Sequence, residues 1–375
     1  MNKLFGGLGI GHSCSVQLEF RRSGGGGVPT AAVKSTRSAS RRDETEDLPV
    51  YRSKDTVEGE VRPAGMGRGG LGCWSFRPPL ALPPHAPHPT LPQVKITPIP
   101  GKRVDHAGIR VQLVGEIELA SERGYPHEFL SLVRDLAPPG DLPSQQAYSF
   151  SFDNVEMQHD SYLGLKVRLR YLLRVTVARG LGQSTVKDFP FWVRNHSPAP
   201  PRGEPIKMEV GIEDCLHIEF EYDSPAFHLD DVVIGRIFFL LVRVKIKHME
   251  LEIKRRESVG AGAAARSESD TVAKYEIMDG APARGEVIPI RLFLAPYDLS
   301  PSVDSVHNRF SVKYFLNLVL VDEEDRRYFK QQEITLYRAE EGAGDGAAKG
   351  GAARLPRGLV AALPEAPPPN PVAAA

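Results

Sequence analysis

Cys215 and His217 are the residues of this chain whose types and spacing come closest to those of a catalytic pair. A cysteine nucleophile needs an imidazole within hydrogen-bond reach of its sulfur and a third group that orients the ring. The apolar residues Leu216, Ile218 and Phe220 alternate with the pair, which predicts a strand, and side chains two positions apart on a strand stand too far apart for a good dyad. We therefore interpret the pair as the solvent side of an ordinary strand and assign no catalytic residue. A hydrolase built on Cys215 and His217 is the alternative from another class of function.

Three further motifs with chemical potential have simpler explanations. Gly65, Gly67 and Gly70 match G-x-G-x-x-G, but a dinucleotide site needs a strand before the motif and a helix after it, and here prolines follow. The acidic run 322–325 lacks the ligand spacing of a calcium loop and favours a hairpin turn. The histidines of the proline-rich segment lack the spacing of a zinc site. The sequence therefore predicts neither a metal nor a cofactor.

Composition and charge fit a globular protein without a nucleic-acid surface. The chain has 375 residues, of which 41% are hydrophobic and 25% charged, so a packed core is feasible. Its 47 basic and 47 acidic residues cancel, which argues against a broad basic surface for nucleic acid. The 3 cysteines are too few and too far apart for a disulfide scaffold and fit a reducing compartment. No segment reaches the roughly 18 apolar residues of a membrane-spanning helix, and no signal peptide is indicated, so we expect a cytoplasmic protein.

Alternation of apolar and polar residues with period two predicts that the chain is all-β. In 167–177 each odd position is apolar or aromatic, whereas Arg168, Arg170 and Arg174 fall on the other face. This is the pattern of a half-buried antiparallel strand. The same alternation recurs in 109–119, 216–222, 288–294, 310–321 and 328–337.

Three segments depart from this alternation. In 240–253 the apolar positions change parity near Lys247 and His248, which indicates a β-bulge. In 127–136 apolar residues recur at i, i+3, i+4 and i+7, which predicts one short helix. The polar run 258–271 shows no periodicity and predicts a long loop, and loops of this length tend to be functional.

Many short strands separated by turn signals predict an arrangement of two antiparallel β-sandwiches joined by a short linker. Segments rich in Gly, Pro, Ala or Ser are not expected to join either core, because they cannot bury enough apolar surface. The expected organisation is an N-terminal sandwich over 1–196 with a disordered segment at 23–47 and an anomalous Pro/Gly-rich insert at 63–92, a linker at 197–205, a C-terminal sandwich over 206–338 and a disordered Ala/Gly/Pro tail at 339–375.

Two groups of apolar side chains are predicted to lie on the surface, where they would contact partners. Phe329 shares the strand parity of Gln331 and Glu333, so an aromatic ring is expected on a polar face. Ile277 and Met278 are adjacent in a strand, so one of the two is expected to face outwards.

Three long segments in the second half of the chain resemble one protein family. They read IKMEVGIEDCLHIEFEY at 206–222, AKYEIMDGAP at 273–282 and NLVLVDEEDRRYFKQQ at 317–332. With their surroundings, from about residue 94 to residue 338, they closely resemble the vacuolar protein sorting 26 subunit of retromer in a plant-like or algal-like form. The resemblance implies an arrestin-like fold of two β-sandwiches without enzymatic activity.

The resemblance also implies partners and contact residues. A subunit of this family docks on the helical-solenoid subunit of retromer, vacuolar protein sorting 35, is joined through the complex to vacuolar protein sorting 29, and works with sorting nexins and receptor cytoplasmic tails. Ile277, Met278 and Val259 match solenoid-binding positions, and Val210 and Phe329 match positions that contact cargo and sorting nexins. The protein would serve retrograde transport of sorting receptors from the endosome or prevacuolar compartment to the trans-Golgi network, and would reach those membranes only through its partners. An arrestin-type receptor adaptor outside retromer is the alternative.

Overall fold

Strands are the only regular secondary structure that the computed structural model contains among its described residues. Those residues are 14–21, 29–34, 45–60, 93–99, 104–122, 124–180, 183–201, 203–212, 214–260 and 265–340. The predicted all-β class is therefore confirmed. The insert at 63–92, nearly all of the tail and much of the segment at 23–47 lie outside the described residues.

The N-terminal sandwich is built from the first fifteen strands. They are β1 (Cys14–Gln17), β2 (Glu19–Arg21), β3 (Thr30–Lys34), β4 (Thr45–Tyr51), β5 (Val57–Glu60), β6 (Gln93–Pro98), β7 (Val104–His106), β8 (Gly108–Leu119), β9 (His127–Ala137), β10 (Gly140–Leu142), β11 (Gln146–Ser149), β12 (Ser151–Phe152), β13 (Tyr162–Leu163), β14 (Val167–Ala178) and β15 (Thr185–Val193). The largest sheet has the order β3-β4-β15-β14-β8-β9, with β13 paired to β14. Shorter sheets with the orders β1-β6-β11, β12-β5-β2 and β10-β7 complete this half.

The C-terminal sandwich is built from the next ten strands. They are β16 (Ile206–Ile212), β17 (Leu216–Tyr222), β18 (Ala226–His228), β19 (Val232–Val242), β20 (Ile246–Val259), β21 (Arg266–Asp279), β22 (Val287–Phe293), β23 (Val303–Val306), β24 (Phe310–Asp322) and β25 (Arg327–Tyr337). One sheet has the order β16-β17-β19-β22, and the other has the order β18-β25-β24-β20-β21 with β23 paired to β24.

Strand β14 follows the period-two pattern that the sequence predicts. Its odd-numbered residues from Val167 to Val177 are buried in the core, while the arginines lie on the outer face. There the Arg170 Nε atom donates to the carboxylate of Glu116, and Arg174 donates to both oxygens of Asp188 at 2.9 and 3.1 Å. Charge pairs between neighbouring strands therefore cover the side of the sheet that faces away from the core.

The helix predicted over 127–136 is wrong, because this segment is strand β9, which pairs antiparallel with β8. The register of that pairing shifts between Ile109 and Arg110 and again between Gly115 and Glu116. Each bulge adds one residue to β9 and changes its parity, so apolar residues recur three and four positions apart without a helix. Strand β9 also lies at the edge of its sheet, where burial imposes the period-two pattern only weakly.

The loop predicted over 258–271 is also wrong, because most of this segment belongs to the two arms of a long hairpin, β20 and β21. Polar cross-strand pairs replace the apolar alternation here: Arg255 donates to both oxygens of Asp270 at 3.1 and 2.8 Å, and the hydroxyls of Ser258 and Ser267 are 2.7 Å apart. The predicted bulge near Lys247 is confirmed by a register shift between Ile246 and His248 in the pairing of β20 with β24.

The two sandwiches meet at Glu257, a fully buried carboxylate of β20. One of its oxygens accepts hydrogen bonds from the Tyr162 hydroxyl at 2.6 Å and the Leu165 backbone N–H at 2.8 Å, and the other accepts from the Lys166 backbone N–H at 2.8 Å. All three donors belong to the N-terminal sandwich. Burial raises the pKa of Tyr162 well above its ordinary value, so the phenol keeps the proton that it donates. A buried charge with this many donors is a strong link between the two halves.

The turn that surrounds Glu257 requires a glycine at position 164. A Cβ atom added to Gly164 would overlap the Glu257 carboxylate and would also lie 2.6 Å from the Tyr162 ring. The backbone between β13 and β14 can therefore wrap around the carboxylate only when no side chain is present at this position.

Further contacts surround this link. Tyr162 stacks on Phe310 of the C-terminal sandwich with ring centroids 6.0 Å apart, and Arg309 donates to Glu122 at 2.9 Å. At the end of the last strand, Arg338 forms an ion pair with Asp160. The described residues up to 339 form one compact unit that contains both sandwiches.

We expect Glu257→Gln to weaken this link strongly. A glutamine presents one N–H₂ group to backbone N–H donors, so at least one charged hydrogen bond becomes a repulsive contact, and each such bond contributes about 1.5–3 kcal/mol. Urea unfolding should show a loss of that size. Glu268→Gln is the matched control, because Glu268 lies opposite Glu257 on β21 but is half-exposed. Equal effects of the two substitutions would contradict the role assigned to Glu257.

We expect Tyr222→Phe to stabilise the protein by about 1 kcal/mol, because removing a buried hydroxyl that has lost its hydration removes a desolvation cost. Tyr222 is fully buried, and its hydroxyl has no hydrogen-bond partner among the described residues. Tyr314→Phe is the control, since the Tyr314 hydroxyl accepts a hydrogen bond from the Ser300 N–H at 3.1 Å, and this variant should lose stability. A Tyr222→Phe variant that unfolds at lower urea than the native chain would contradict this assignment.

Candidate functional site

Ile277 and Met278 lie near the end of β21, at the edge of the larger sheet of the C-terminal sandwich. Met278 pairs with Met249 whereas Glu276 pairs with Glu250, so Ile277 is the extra residue of a bulge. Both Ile277 and Met278 are half-buried and pack against the core. The sequence predicts that one of the two faces outwards, whereas in the structure both are partly exposed, because the bulge disturbs the simple alternation.

The surroundings of this bulge make it accessible to a partner. No strand among the described residues covers the outer edge of β21, so its backbone groups on that side are open. Tyr275, two residues before the bulge, is 41% exposed. Gly280 follows with a φ of +107° and donates its N–H to the Lys247 carbonyl at 2.7 Å, which turns the chain away from the sheet. Tyr275 is therefore part of this surface, although the alternation of residues in the sequence did not predict it as a contact residue.

Val259 lies at the other end of the same hairpin. It is the last residue of β20 and pairs with Arg266, whereas Met249, the partner of Met278, is ten residues earlier in that strand. At about 3.3 Å per residue this separation is roughly 33 Å. Val259 instead lines a cleft of about 820 Å³ beside His307 and Arg309. The structure therefore does not bring Val259 together with Ile277 and Met278.

Phe329 is the exposed aromatic residue that the parity argument predicts, with 64% of its surface accessible. It lies on β25 opposite Val319 of β24, which is buried although it is on the outer face of the sheet. Strand β18 pairs only with the last residues of β25, from Thr335 to Tyr337, so the edge beside Phe329 is open among the described residues. The ring and the open edge together form an apolar contact point.

Val210 lies in the other sheet, on the edge strand β16. It pairs with Ile218 and is half-buried against the core, so its side chain points inwards. The accessible feature at this position is therefore the unpaired backbone edge of β16, and the side chain of Val210 is less exposed than that of Phe329.

A buried polar network lies on the same outer face as Phe329. The Asn317 amide donates to Glu252 at 2.8 Å, and Lys274 lies 2.8 Å from the other oxygen of that carboxylate. Burial alone would raise the pKa of Glu252, but the hydrogen bonds from Lys274 and Asn317 outweigh it and hold the pKa below its ordinary value. The only sequence signal for this network is Asn317 itself, a polar residue within an apolar run.

The acidic run 322–325 forms the hairpin turn that the sequence predicts, between β24 and β25. The Asp322 carboxylate accepts from the backbone N–H groups of Glu324 and Arg326 at 3.0 and 2.9 Å, and from the Tyr328 hydroxyl at 3.0 Å. Burial alone would raise the pKa of Asp322, but the hydrogen bonds from Arg326 and Tyr328 hold it below its ordinary value. Because the oxygens of Asp322 already accept these hydrogen bonds, we interpret the residue as stabilising the turn.

The structure gives no support to the catalytic alternative. Cys215 is half-buried in the turn before β17, and among the described residues no hydrogen bond joins it to His217, whose Nε2 atom lies 3.8 Å from Glu219. Within the same residues, no group of three or more His, Cys, Asp or Glu side chains could hold a metal ion. None of the described segments forms a helix long and apolar enough to cross a bilayer.

Comparisons with known proteins identify the family. Residues 90–325 match the family model described as vacuolar protein sorting-associated protein 26. The chain is 61% identical over 249 residues to vacuolar protein sorting-associated protein 26A of Arabidopsis thaliana, covering 66% of this chain and 82% of the relative. It is 58% identical over 237 residues to the Dictyostelium discoideum protein 26 (63% of this chain, 68% of the relative) and 56% identical over 239 residues to the human protein 26B (64% and 71%). The chain therefore belongs to the vacuolar protein sorting-associated protein 26 family, and its two β-sandwiches form the arrestin-like fold that the resemblance implies.

Proposed function

We propose that this chain is a non-enzymatic subunit of retromer, in which it links the helical-solenoid subunit to sorting nexins and to the cytoplasmic tails of receptors. Its role would be retrograde transport of sorting receptors from the endosome or prevacuolar compartment to the trans-Golgi network. Family membership supports the sorting role. The observation that carries the adaptor role is the open edge of β21, where half-buried apolar side chains lie beside the exposed Tyr275.

The end of β21 is suited to hold a helical partner. Ile277 and Met278 present part of their apolar surface beside Tyr275, and the Gly280 turn leaves the edge uncovered. A partner that covers these side chains removes further apolar surface from water, and complete burial of one such side chain contributes about 1.5–3 kcal/mol. A few residues of this kind commonly dominate an interface. Val259 lies roughly 33 Å away by strand length, so it lies outside this proposed contact.

We expect Ile277→Asp combined with Met278→Asn to weaken binding of the solenoid subunit at least tenfold, because both substitutions place polar groups where the partner would cover apolar surface. A pull-down and a titration with the purified solenoid subunit measure this effect, and a native urea midpoint must accompany it. Val259→Asn is the matched control, since Val259 is also half-buried but lies at the opposite end of the hairpin. Normal binding by a folded double variant would refute the assignment.

Phe329 is proposed as a contact for cargo bound together with a sorting nexin. The exposed ring, the buried Val319 next to it and the open edge of β25 offer an apolar anchor and backbone hydrogen bonds to an extended peptide. Recruitment to the endosome or prevacuolar compartment would follow from these partners, because the chain itself carries no net charge.

We expect Phe329→Ser to reduce binding of a receptor tail in the presence of its sorting nexin by about tenfold, since an exposed aromatic anchor loses its apolar contact. Binding to the solenoid subunit should not change. Val186→Ser is the control, because Val186 is 50% exposed on β15 of the N-terminal sandwich. Unchanged tail binding by the Phe329→Ser variant would remove this residue from the proposed site.

A further inference from the structure

The outer face of β19 and β22 carries a group of exposed apolar side chains that no contact described above uses. Ile234, Leu240, Val287 and Phe293 are 41%, 42%, 48% and 58% exposed. Their neighbours in each strand point the other way, and most of them are buried in the core. These four residues therefore add nothing to the core and form one apolar surface, the β19–β22 face. Clusters of this kind on a soluble protein mark interaction sites.

Strand pairing brings these side chains together. Val287 is opposite Phe238, a half-buried ring on the same face, and Phe293 is opposite Val232 at the other end. From Ile234 to Leu240 the apolar surface follows six residues of β19, which is roughly 20 Å. That length corresponds to about four turns of an α-helix.

Positive charge accompanies the apolar surface. Arg291 is opposite Ile234, and Arg284 lines a pocket with Leu240 that also contains Asp214. Neither arginine forms an ion pair within the described part of the chain. Arg236 lies on the same face, 3.7 Å from Glu221. A partner that covers this face must therefore supply acidic groups as well as apolar ones.

Addition of a strand is a poor way to occupy this site. Strand β22 is the edge of its sheet, but its third residue is Pro289, which has no N–H to donate to a neighbouring strand. A partner would therefore bind across the face of the sheet.

The geometry points to a docking site for an acidic amphipathic helix of a partner protein, about four turns long, with an apolar stripe that packs on the β19–β22 face and acidic residues that reach Arg291 and Arg284. This assignment is independent of the solenoid and cargo contacts proposed above, because it uses none of their residues.

Charge on the rest of the sheet disfavours an anionic bilayer. Lys207, Glu209, Glu219 and Glu221 line the same outer surface on β16 and β17, so that half has an excess of negative charge and would repel such a bilayer. A helix covers a narrower strip than a bilayer does. It can place its acidic residues on the flank beside β22, away from Glu219 and Glu221, which lie opposite Phe238 and Arg236 of β19.

Two synthetic helical peptides test the proposal. Each carries leucines along one face, flanked by glutamates in the first peptide and by lysines in the second, with a fluorescent label for anisotropy measurements on the full chain. We expect the acidic peptide to bind and the basic peptide not to bind. Phe293→Ser should weaken binding of the acidic peptide by about tenfold, and Arg291→Glu by about two- to fivefold, with a shift of preference towards the basic peptide. Val186→Ser, which changes an exposed apolar residue of the N-terminal sandwich, should have no effect.

Three results would overturn the proposal. The first is equal binding of the two peptides, or acidic-peptide binding that ignores both Phe293→Ser and Arg291→Glu. The second is sedimentation of the full chain with phosphatidylserine vesicles that is lost in Phe293→Ser, which would assign the face to a membrane. The third is self-association in analytical ultracentrifugation that Phe293→Ser abolishes, which would assign it to a second copy. The substituted side chains are exposed, so an unchanged urea midpoint confirms that each variant is folded.

Discussion

Glu257 connects the two halves of this molecule through three hydrogen bonds to its carboxylate. Desolvating a carboxylate is costly, and the donors from Tyr162, Leu165 and Lys166 offset that cost only if the turn of the N-terminal sandwich wraps tightly around it. Gly164 makes this wrapping sterically feasible. Because β20 carries Glu257 at one end and pairs with the end of β21 at its other end, the same strand connects the inter-sandwich link to the proposed solenoid contact.

This arrangement leaves the outer surfaces of the C-terminal sandwich for partners. The core uses one side of each strand, and the hairpin β20–β21 is held together by polar pairs such as Arg255 with Asp270. Edge strands and exposed rings are therefore available at several separate places. Several separate surfaces of this kind support the adaptor role proposed above.

The sequence predicts the parts of this fold in which one face of a strand is buried. Strand β14 and the exposure of Phe329 follow from alternation, because a shift of one residue would expose the core side chains. The same reasoning fails for strand β9, because its two bulges give the apolar residues the spacing of a helix. It also fails for the part of the β20–β21 hairpin within 258–271, because polar residues occupy both faces of its strands there. The link between Glu257 and Gly164 joins residues far apart in the chain, and no local pattern predicts such a contact. The bulge at Ile277 likewise depends on pairing with β20.

The most direct test of this account is hydrogen–deuterium exchange of the full chain with and without the purified solenoid subunit. Backbone N–H groups on the open edge of β21 near Ile277 exchange readily unless a partner covers them. The account predicts that the solenoid subunit slows exchange in 272–282 and leaves β9 unchanged. Protection confined to β9, or to the N-terminal sandwich as a whole, with no change in 272–282, would contradict it.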